Sequence, residues 1–279
     1  MNLATLGEPM DAAVYGGKAA RLSQCLGAEL PVPPGFAIAA RDAGRIAFGD
    51  LTIRERQALQ ARLLELGSVA VRSSAIGEDG ANASFAGQHA SVLNVLGLDG
   101  VLAAITTVWA SARSDSARAY RARLGIEGDP DAAVLVQTLV PADVAGVLFT
   151  SDPLSGSDDR FVVEAAWGLG EAVVAGLVTP DRYLISREGA ILDCQAGEKD
   201  VAIRPASGGG THEEPIEAAH VQVFTLELPM LAGISQLGVA CERLFGPGQD
   251  IEWAVANNAV YLLQCRPITT RPVSRESRL

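Results

Sequence analysis

A change in hydrophobic pattern near Gly128 is the feature that most constrains how this chain folds. Before it, segments with helical spacing predominate, among them residues 16–27 and residues 52–67, where Thr52 is a candidate N-cap. After it, short strand-like runs follow one another, and the glycine-rich stretch 208–215 is predicted to be a flexible linker. The pattern therefore predicts two lobes and a tail or linker, with the bounds 1–127, 128–270 and 271–279.

Net charge and hydropathy exclude several classes of partner. The net charge is −11 at pH 7, which argues against a general nucleic-acid binder because such a protein needs a basic face to neutralise phosphates. No apolar stretch approaches the roughly 20 residues of a membrane span, and no basic segment followed by an apolar run opens the chain. We therefore expect a cytoplasmic protein that binds neither nucleic acid nor membrane. A few local cations would still suffice to bind one nucleotide.

The four cysteines are far apart in the sequence. No two have the spacing of a zinc pair or a redox pair, and Cys25 and Cys241 each have an apolar neighbour. Free cysteines in such settings are usually buried. We therefore expect reduced, mostly buried side chains at Cys25, Cys194, Cys241 and Cys265.

The segment from Val69 to Gln88, VAVRSSAIGEDGANASFAGQ, passes from an apolar strand to Arg72 and then to a run of small residues. Phe85 is the only large side chain after Ile76. Two interpretations are open. The run is either a surface turn or a loop that closes over an anion, because small residues let backbone N–H groups approach phosphates.

The segment Gly16–Gly17–Lys18 opens a predicted helix. Free N–H groups and the helix dipole favour an anion at such a position. The segment is not a P-loop, because Ala19 follows the lysine and the glycine that begins that motif is missing. Taken alone, it is only a weak indication of phosphate binding.

A terminal hairpin is predicted from DIEWAV and VYLLQCRP. If residues 257–259 form its loop, Glu252 lies opposite Gln264 and Asp250 lies opposite Arg266, so all four share one face. The other face then carries apolar side chains, namely Ile251, Trp253, Val255, Leu263 and Cys265. This arrangement is also what a half-buried hairpin with one solvated face would show. However, a carboxylate and an amide oxygen at one level suit Mg²⁺, and an adjacent arginine suits a terminal phosphate.

The motifs in order resemble the ATP-binding domain of the phosphoenolpyruvate synthase and pyruvate phosphate dikinase family, which rifampin phosphotransferase shares. They run from GGKAARL and LPVPPGFAI through VAVRSSAIGEDGANASFAGQ, GVLFTSDP and EAAWGLGEAVVAGLVTPDRY to LFGPGQDIEWAV and VYLLQCRPIT. The resemblance extends from about Tyr15 to Thr269. It implies an α+β, ATP-grasp fold in which two lobes clasp Mg-ATP. The first lobe is shortened, because only about thirty residues separate PPGFAI from VAVRSS.

The resemblance also implies site residues. Lys18, Arg72 and Arg266 would contact phosphates, while Glu252 and Gln264 would hold Mg²⁺. The remaining nucleotide-binding positions are a loop over the phosphates (Ser84, Phe85, Ala86, Gly87, Gln88), an adenine-side edge (Gln137, Thr138, Leu139, Val140) and two cleft carboxylates (Glu164, Glu171). A purely structural role for Glu171 is the alternative.

In the family, a histidine on a swivelling domain accepts phosphate from ATP and passes it to a small-molecule acceptor. None of His89, His212 and His220 has the glycine- and serine-rich surroundings of that histidine, although His89 lies beside the phosphate loop. The resemblance therefore implies a phosphohistidine carrier domain in the same longer protein or on a separate one. The synthase branch releases AMP and phosphate. Two alternatives are a self-contained ATP-grasp kinase or ligase for a small molecule and a non-catalytic ATP-binding module.

Overall fold

The contacts of the chain divide it into two compact units. The computed structural model describes residues 1–76, 90–115, 117–119, 132–153 and 155–268. Unit 1 comprises Met1–Pro141 and Arg204–His212, and unit 2 comprises Ala142–Ile203 and Glu213–Leu279. The division lies after the predicted boundary at Gly128, because the strand Ala132–Thr138 pairs within the sheet of unit 1.

Unit 1 packs helices on a five-stranded antiparallel sheet. Its strands are β1 (Leu3–Thr5), β2 (Gly35–Ile38), β3 (Val69–Ala75), β4 (Ser91–Val95) and β5 (Ala132–Thr138), in the order β1-β2-β5-β3-β4. Its helices are α1 (Ala12–Gly27), α2 (Ala40–Ala47), α3 (Ile53–Leu66) and α4 (Gly97–Ser111). The predicted N-cap Thr52 is confirmed, since its hydroxyl accepts from Glu55 N in a reciprocal capping box. Apolar side chains of α2, α3 and α4 form the core with β3 and β5.

Unit 2 is built on a six-stranded antiparallel sheet in the order β13-β12-β6-β7-β8-β9. Its strands are β6 (Val144–Phe149), β7 (Arg160–Trp167), β8 (Asp181–Ser186), β9 (Ile191–Gln195), β12 (Gln249–Ala256) and β13 (Ala259–Pro267). Its helices are α5 (Glu171–Val174) and α6 (Leu228–Phe245), and α6 packs on β12, β13 and β6. The α+β class is confirmed in both units.

The stretch Gly208–Pro215 is not a linker, contrary to prediction. Thr211–Pro215 forms strand β11, which pairs with β10 (Val201–Pro205). The glycines provide the turn between these strands, where the buried side chain of Asn94 donates to the carbonyl oxygens of Ala206 and Gly210, both at 2.7 Å. The glycines therefore form an ordered turn, because two hydrogen bonds from the buried Asn94 amide fix the backbone of that turn.

The cysteine prediction is confirmed for Cys25, Cys241 and Cys265, which are reduced and buried, whereas Cys194 is reduced but exposed. Cys194 lies in β9, an edge strand in which every residue is exposed. Among the described helices, none has the length and apolar character needed to cross a membrane.

Candidate functional site

The terminal hairpin has the predicted pairing at its polar end. Glu252 lies opposite Gln264, and Asp250 lies opposite Arg266. The loop, however, has two residues and not three: Asn257 and Asn258 both have positive φ, 51° and 61°, as a tight hairpin turn requires.

A bulge compensates for the shorter loop. Trp253 lies opposite Leu262 while Glu252 lies opposite Gln264, so Leu263 is an extra residue in β13. The predicted place of Leu263 on the apolar face stays a prediction, because Leu262 takes the position opposite Trp253. Leu262 is the fully buried partner of Trp253, and Leu263 is only half-buried. The predicted register at Gln264 is correct, because the loop is one residue shorter than predicted and β13 contains one extra residue.

The strand pairings extend the polar face of the hairpin into a row of residues across the sheet of unit 2, which we call the polar row. Glu252 lies opposite Val147, Val147 lies opposite Glu164, and Glu164 lies opposite Arg182. Directly opposed residues of antiparallel strands share a face. The row therefore places Glu164 on the same face as Glu252, two strands or about 10 Å away.

Charges on this face are partly paired. Both Nε and Nη2 of Arg266 donate to Oδ2 of Asp250, at 2.9 and 2.7 Å. Burial raises the pKa of the Asp250 carboxyl, and Arg266 opposes that shift while Glu252 adds to it. Burial likewise raises the pKa of Glu164, with Arg182 opposing and Asp250 reinforcing the shift. Three carboxylates and two arginines thus share the face, and Asp250 fixes the guanidinium of Arg266.

Asp250 is a functional candidate to which sequence reasoning gave no role. Its position on the polar face was predicted, but only the structure shows that its carboxylate accepts hydrogen bonds from Arg266. The available signal was its spacing, since Asp250 precedes Glu252 by two residues in a strand and therefore shares its face.

The oxygens of Glu252 and Gln264 fit a magnesium ion that is bound mostly by phosphate and water. Their strands are directly opposed at this level, and carboxylate and amide oxygens are hard ligands. Within the described residues, no group of three or more His, Cys, Asp or Glu side chains could enclose a metal. Mg²⁺ does not need such a cage, because it usually takes one or two protein ligands together with substrate phosphates.

In unit 1 the predicted phosphate lysine lies at an interruption of α1. Gly16 has non-helical dihedral angles, φ 77° and ψ 161°, so the helix restarts after it and Lys18 lies in the new first turn. The Ala19 N–H donates to Ser74 Oγ at 3.0 Å. Ser74 follows Arg72 by two residues in β3, so the two side chains share a face of that strand. The fold therefore brings the start of this helix to the strand of Arg72.

The adenine-side edge was predicted in the second lobe, but residues 137–140 belong to unit 1, because the strand that leads into them pairs within its sheet. Gln137 is only 2% exposed, and its Nε2 donates to the Pro33 carbonyl at 2.9 Å. The Thr138 N–H donates to Pro34 and the Leu139 N–H to Ser68, at 2.8 and 2.9 Å. These amide donors already have partners within unit 1.

The other predicted positions divide into two groups. Glu171 is half-buried and begins the short helix α5, which packs on β6 and β7. The structure does not align it with the polar row, so its role stays a prediction. The phosphate loop, residues 84–88, and the neighbouring His89 lie outside the described residues.

Replacing Gly16 with alanine is expected to destabilise the protein by more than about 3 kcal/mol, because few other residues adopt these dihedral angles. An added Cβ would also lie 2.0 Å from the Ser74 carbonyl oxygen. Gly49→Ala is the control, since Gly49 has φ 74° with nothing within 4 Å of the added Cβ, and it should cost about 1–2 kcal/mol. Urea denaturation measures both, and equal losses would contradict the predicted clash.

Comparison with protein families gives one match that covers most of the chain. The family described as "Pyruvate phosphate dikinase, AMP/ATP-binding domain" matches residues 50–278. The matched region contains Arg72 and the whole polar row of unit 2.

Two curated relatives are longer proteins. A probable phosphoenolpyruvate synthase from Archaeoglobus fulgidus is 35% identical over 93% of this chain and 40% of its own length. A rifampicin phosphotransferase from a Streptomyces species is 38% identical over 90% of this chain and 27% of its own length. The chain thus spans less than half of either relative. A solved D-alanine–D-alanine ligase from Bacillus anthracis covers 93% of this chain and 58% of its own at a TM-score of 0.45 and 12% identity, too distant to add to the argument.

Proposed function

Because the chain belongs to the family of pyruvate phosphate dikinase AMP/ATP-binding domains, we propose that it binds Mg-ATP and transfers a phosphoryl group to a histidine on a separate domain or protein. The resemblance implies an ATP-grasp fold, and the two α+β units agree with it. The observation that carries the proposal is the shared face of Glu252, Gln264 and the Asp250–Arg266 pair.

Each of these four residues has a task in this proposal. Glu252 and Gln264 hold Mg²⁺, which supplies charge neutralisation at the phosphate oxygens when it is bound. Arg266, held by Asp250, donates to the outer phosphates. Lys18 and Arg72 are kept in the proposal as the phosphate contacts that the resemblance implies. Catalysis then consists of positioning and electrostatic stabilisation, which is what phosphoryl transfer mainly demands of a protein.

The acceptor histidine is proposed to lie on a carrier domain. Of the histidines that the structure describes, His212 and His220 are both exposed, and His220 lies 3.7 Å from the Glu217 carboxylate. Neither has a position on the polar row of unit 2. The names of the two relatives differ in the compound that is finally phosphorylated, although both share this segment. We therefore propose that the final acceptor is selected outside this chain.

The proposal predicts the products of Mg-ATP turnover. With a phosphohistidine carrier domain of a phosphoenolpyruvate synthase added, we expect AMP and phosphate to form and the carrier to gain one phosphoryl group. The chain alone should give neither. Nucleotide chromatography and intact-mass analysis of both proteins measure this. ADP formed by the chain alone, or a phosphoryl group retained on it, would instead support a self-contained kinase.

A further inference from the structure

Arg182 is a cation on the polar face to which the proposed function gives no task. It lies on β8 directly opposite Glu164, and both side chains are half-buried. In the part of the chain that the structure describes, neither side chain makes a hydrogen bond or an ion pair within 4 Å. The Coulombic effect of Arg182 on Glu164 nevertheless opposes that of burial. The pair is therefore close enough to interact but is not joined.

The chemistry of ATP limits what Glu164 can bind. An ionised carboxylate only accepts hydrogen bonds, and phosphate oxygens are also acceptors. The hydrogen-bond donors of ATP are its ribose hydroxyls and the amino group of its base. Glu164 lies about 10 Å along the row from Glu252, the proposed metal ligand near the phosphates. The sugar is nearer to the phosphates than the base amino group is, so ribose is the donor that this spacing favours.

The position of Arg182 favours a role through Glu164. Along the row, Glu164 lies between Arg182 and the Glu252–Gln264 pair. Arg182 is therefore on the side of Glu164 away from the metal and phosphate groups. A cation directly opposite a carboxylate attracts it and favours its charged form.

We propose that Arg182 is a positioning residue that orients the charged carboxylate of Glu164 to accept a hydrogen bond from a ribose hydroxyl of ATP. This inference rests on the proposed function, because it takes ATP as the ligand of the face. It adds a determinant of sugar specificity on β8, a strand that carries none of the metal or phosphate groups.

The test compares nucleotides that differ in one hydroxyl. Calorimetry would measure the Kd values of ATP, 2′-deoxy-ATP and 3′-deoxy-ATP, each with Mg²⁺. The wild-type protein should bind ATP about tenfold more tightly than at least one deoxy analogue, which is the size of one hydrogen bond to a charged group. Arg182→Met and Glu164→Gln should both reduce this ratio to about two or less, whereas Arg182→Lys should retain part of it. Arg243→Met, at an exposed arginine of α6, is the control and should leave the ratio unchanged.

The outcomes separate the inference from the proposed function. A wild-type protein that binds no ATP would overturn the proposed function. If ATP binds but Arg182→Met weakens all three nucleotides equally, Arg182 contacts the phosphates and the positioning role is wrong. The inference would also be overturned if Arg182→Met kept the wild-type preference for ATP over the deoxy analogues. It would likewise be overturned if the wild-type protein bound all three nucleotides equally.

Discussion

Arg266→Ala is expected to lower phosphoryl transfer by about 10²–10³-fold, the usual loss when one preorganised donor to a developing charge is removed. Arg266 is a suitable donor because Asp250 holds its Nε and Nη2 at 2.9 and 2.7 Å, and its side chain is still 24% exposed. In the proposed function, this exposed part of the side chain contacts the outer phosphates. The variant leaves the largely buried Asp250 carboxyl without its arginine, so a partial loss of stability is expected as well. Single-turnover transfer to the carrier domain would be measured beside thermal unfolding.

Two further variants distinguish the role of Arg266 from that of Asp250, the carboxylate that holds it. Asp250→Asn keeps the side-chain shape but removes the charge, so Arg266 should be held less firmly and transfer should fall by only about tenfold. Arg160→Ala removes an arginine that pairs with the largely exposed Asp159, and it should leave transfer unchanged. A folded Arg266→Ala variant with transfer near that of the wild-type protein would exclude the proposed role of this arginine.

Local pattern was sufficient to predict much of the fold. The N-cap at Thr52 could be predicted because capping depends on residues that are close in sequence. The boundary of the units could not, because the strand Ala132–Thr138 has the same apolar pattern as the strands that follow it. Only its pairing with β2 and β3 places it in unit 1. The turn at Gly208–Gly210 shows the same limit, since its order comes from Asn94, more than a hundred residues away.

In the candidate site, too, the features set by residues close in sequence could be predicted, and those set by distant pairing could not. The opposition of Glu252 and Gln264 could be predicted from a hairpin, whose partners are close in sequence, although the bulge at Leu263 could not. The alignment of Glu164 with Glu252 required the order of the three strands β12, β6 and β7, which no local pattern gives. The buried ion pair between Asp181 and Lys199 could not be predicted either, because their contact depends on the fold of the segment between them.

Asp181→Ala is expected to destabilise unit 2 by about 3–5 kcal/mol, the typical cost of breaking a buried ion pair by removing one partner. Asp181 and Lys199 are both fully buried, with Lys199 Nζ at 2.5 Å from Asp181 Oδ1. The same carboxylate accepts from the Gly197 N–H and from the N–H and hydroxyl of Thr225, at 2.7–2.9 Å. The substitution would leave a buried ammonium and three donors without their acceptor.

Lys199→Met should cost less than Asp181→Ala, because the carboxylate keeps its donors from Gly197 and Thr225. Arg56→Ala is the control: it removes a surface pair with Asp99, whose side chains are 44% and 91% exposed, and it should cost less than about 1 kcal/mol. Urea denaturation gives the free energy of unfolding for each variant. A loss near 1 kcal/mol for Asp181→Ala would show that water reaches the pair and that the segment between Gly197 and Thr225 does not depend on this carboxylate for its place on the sheet.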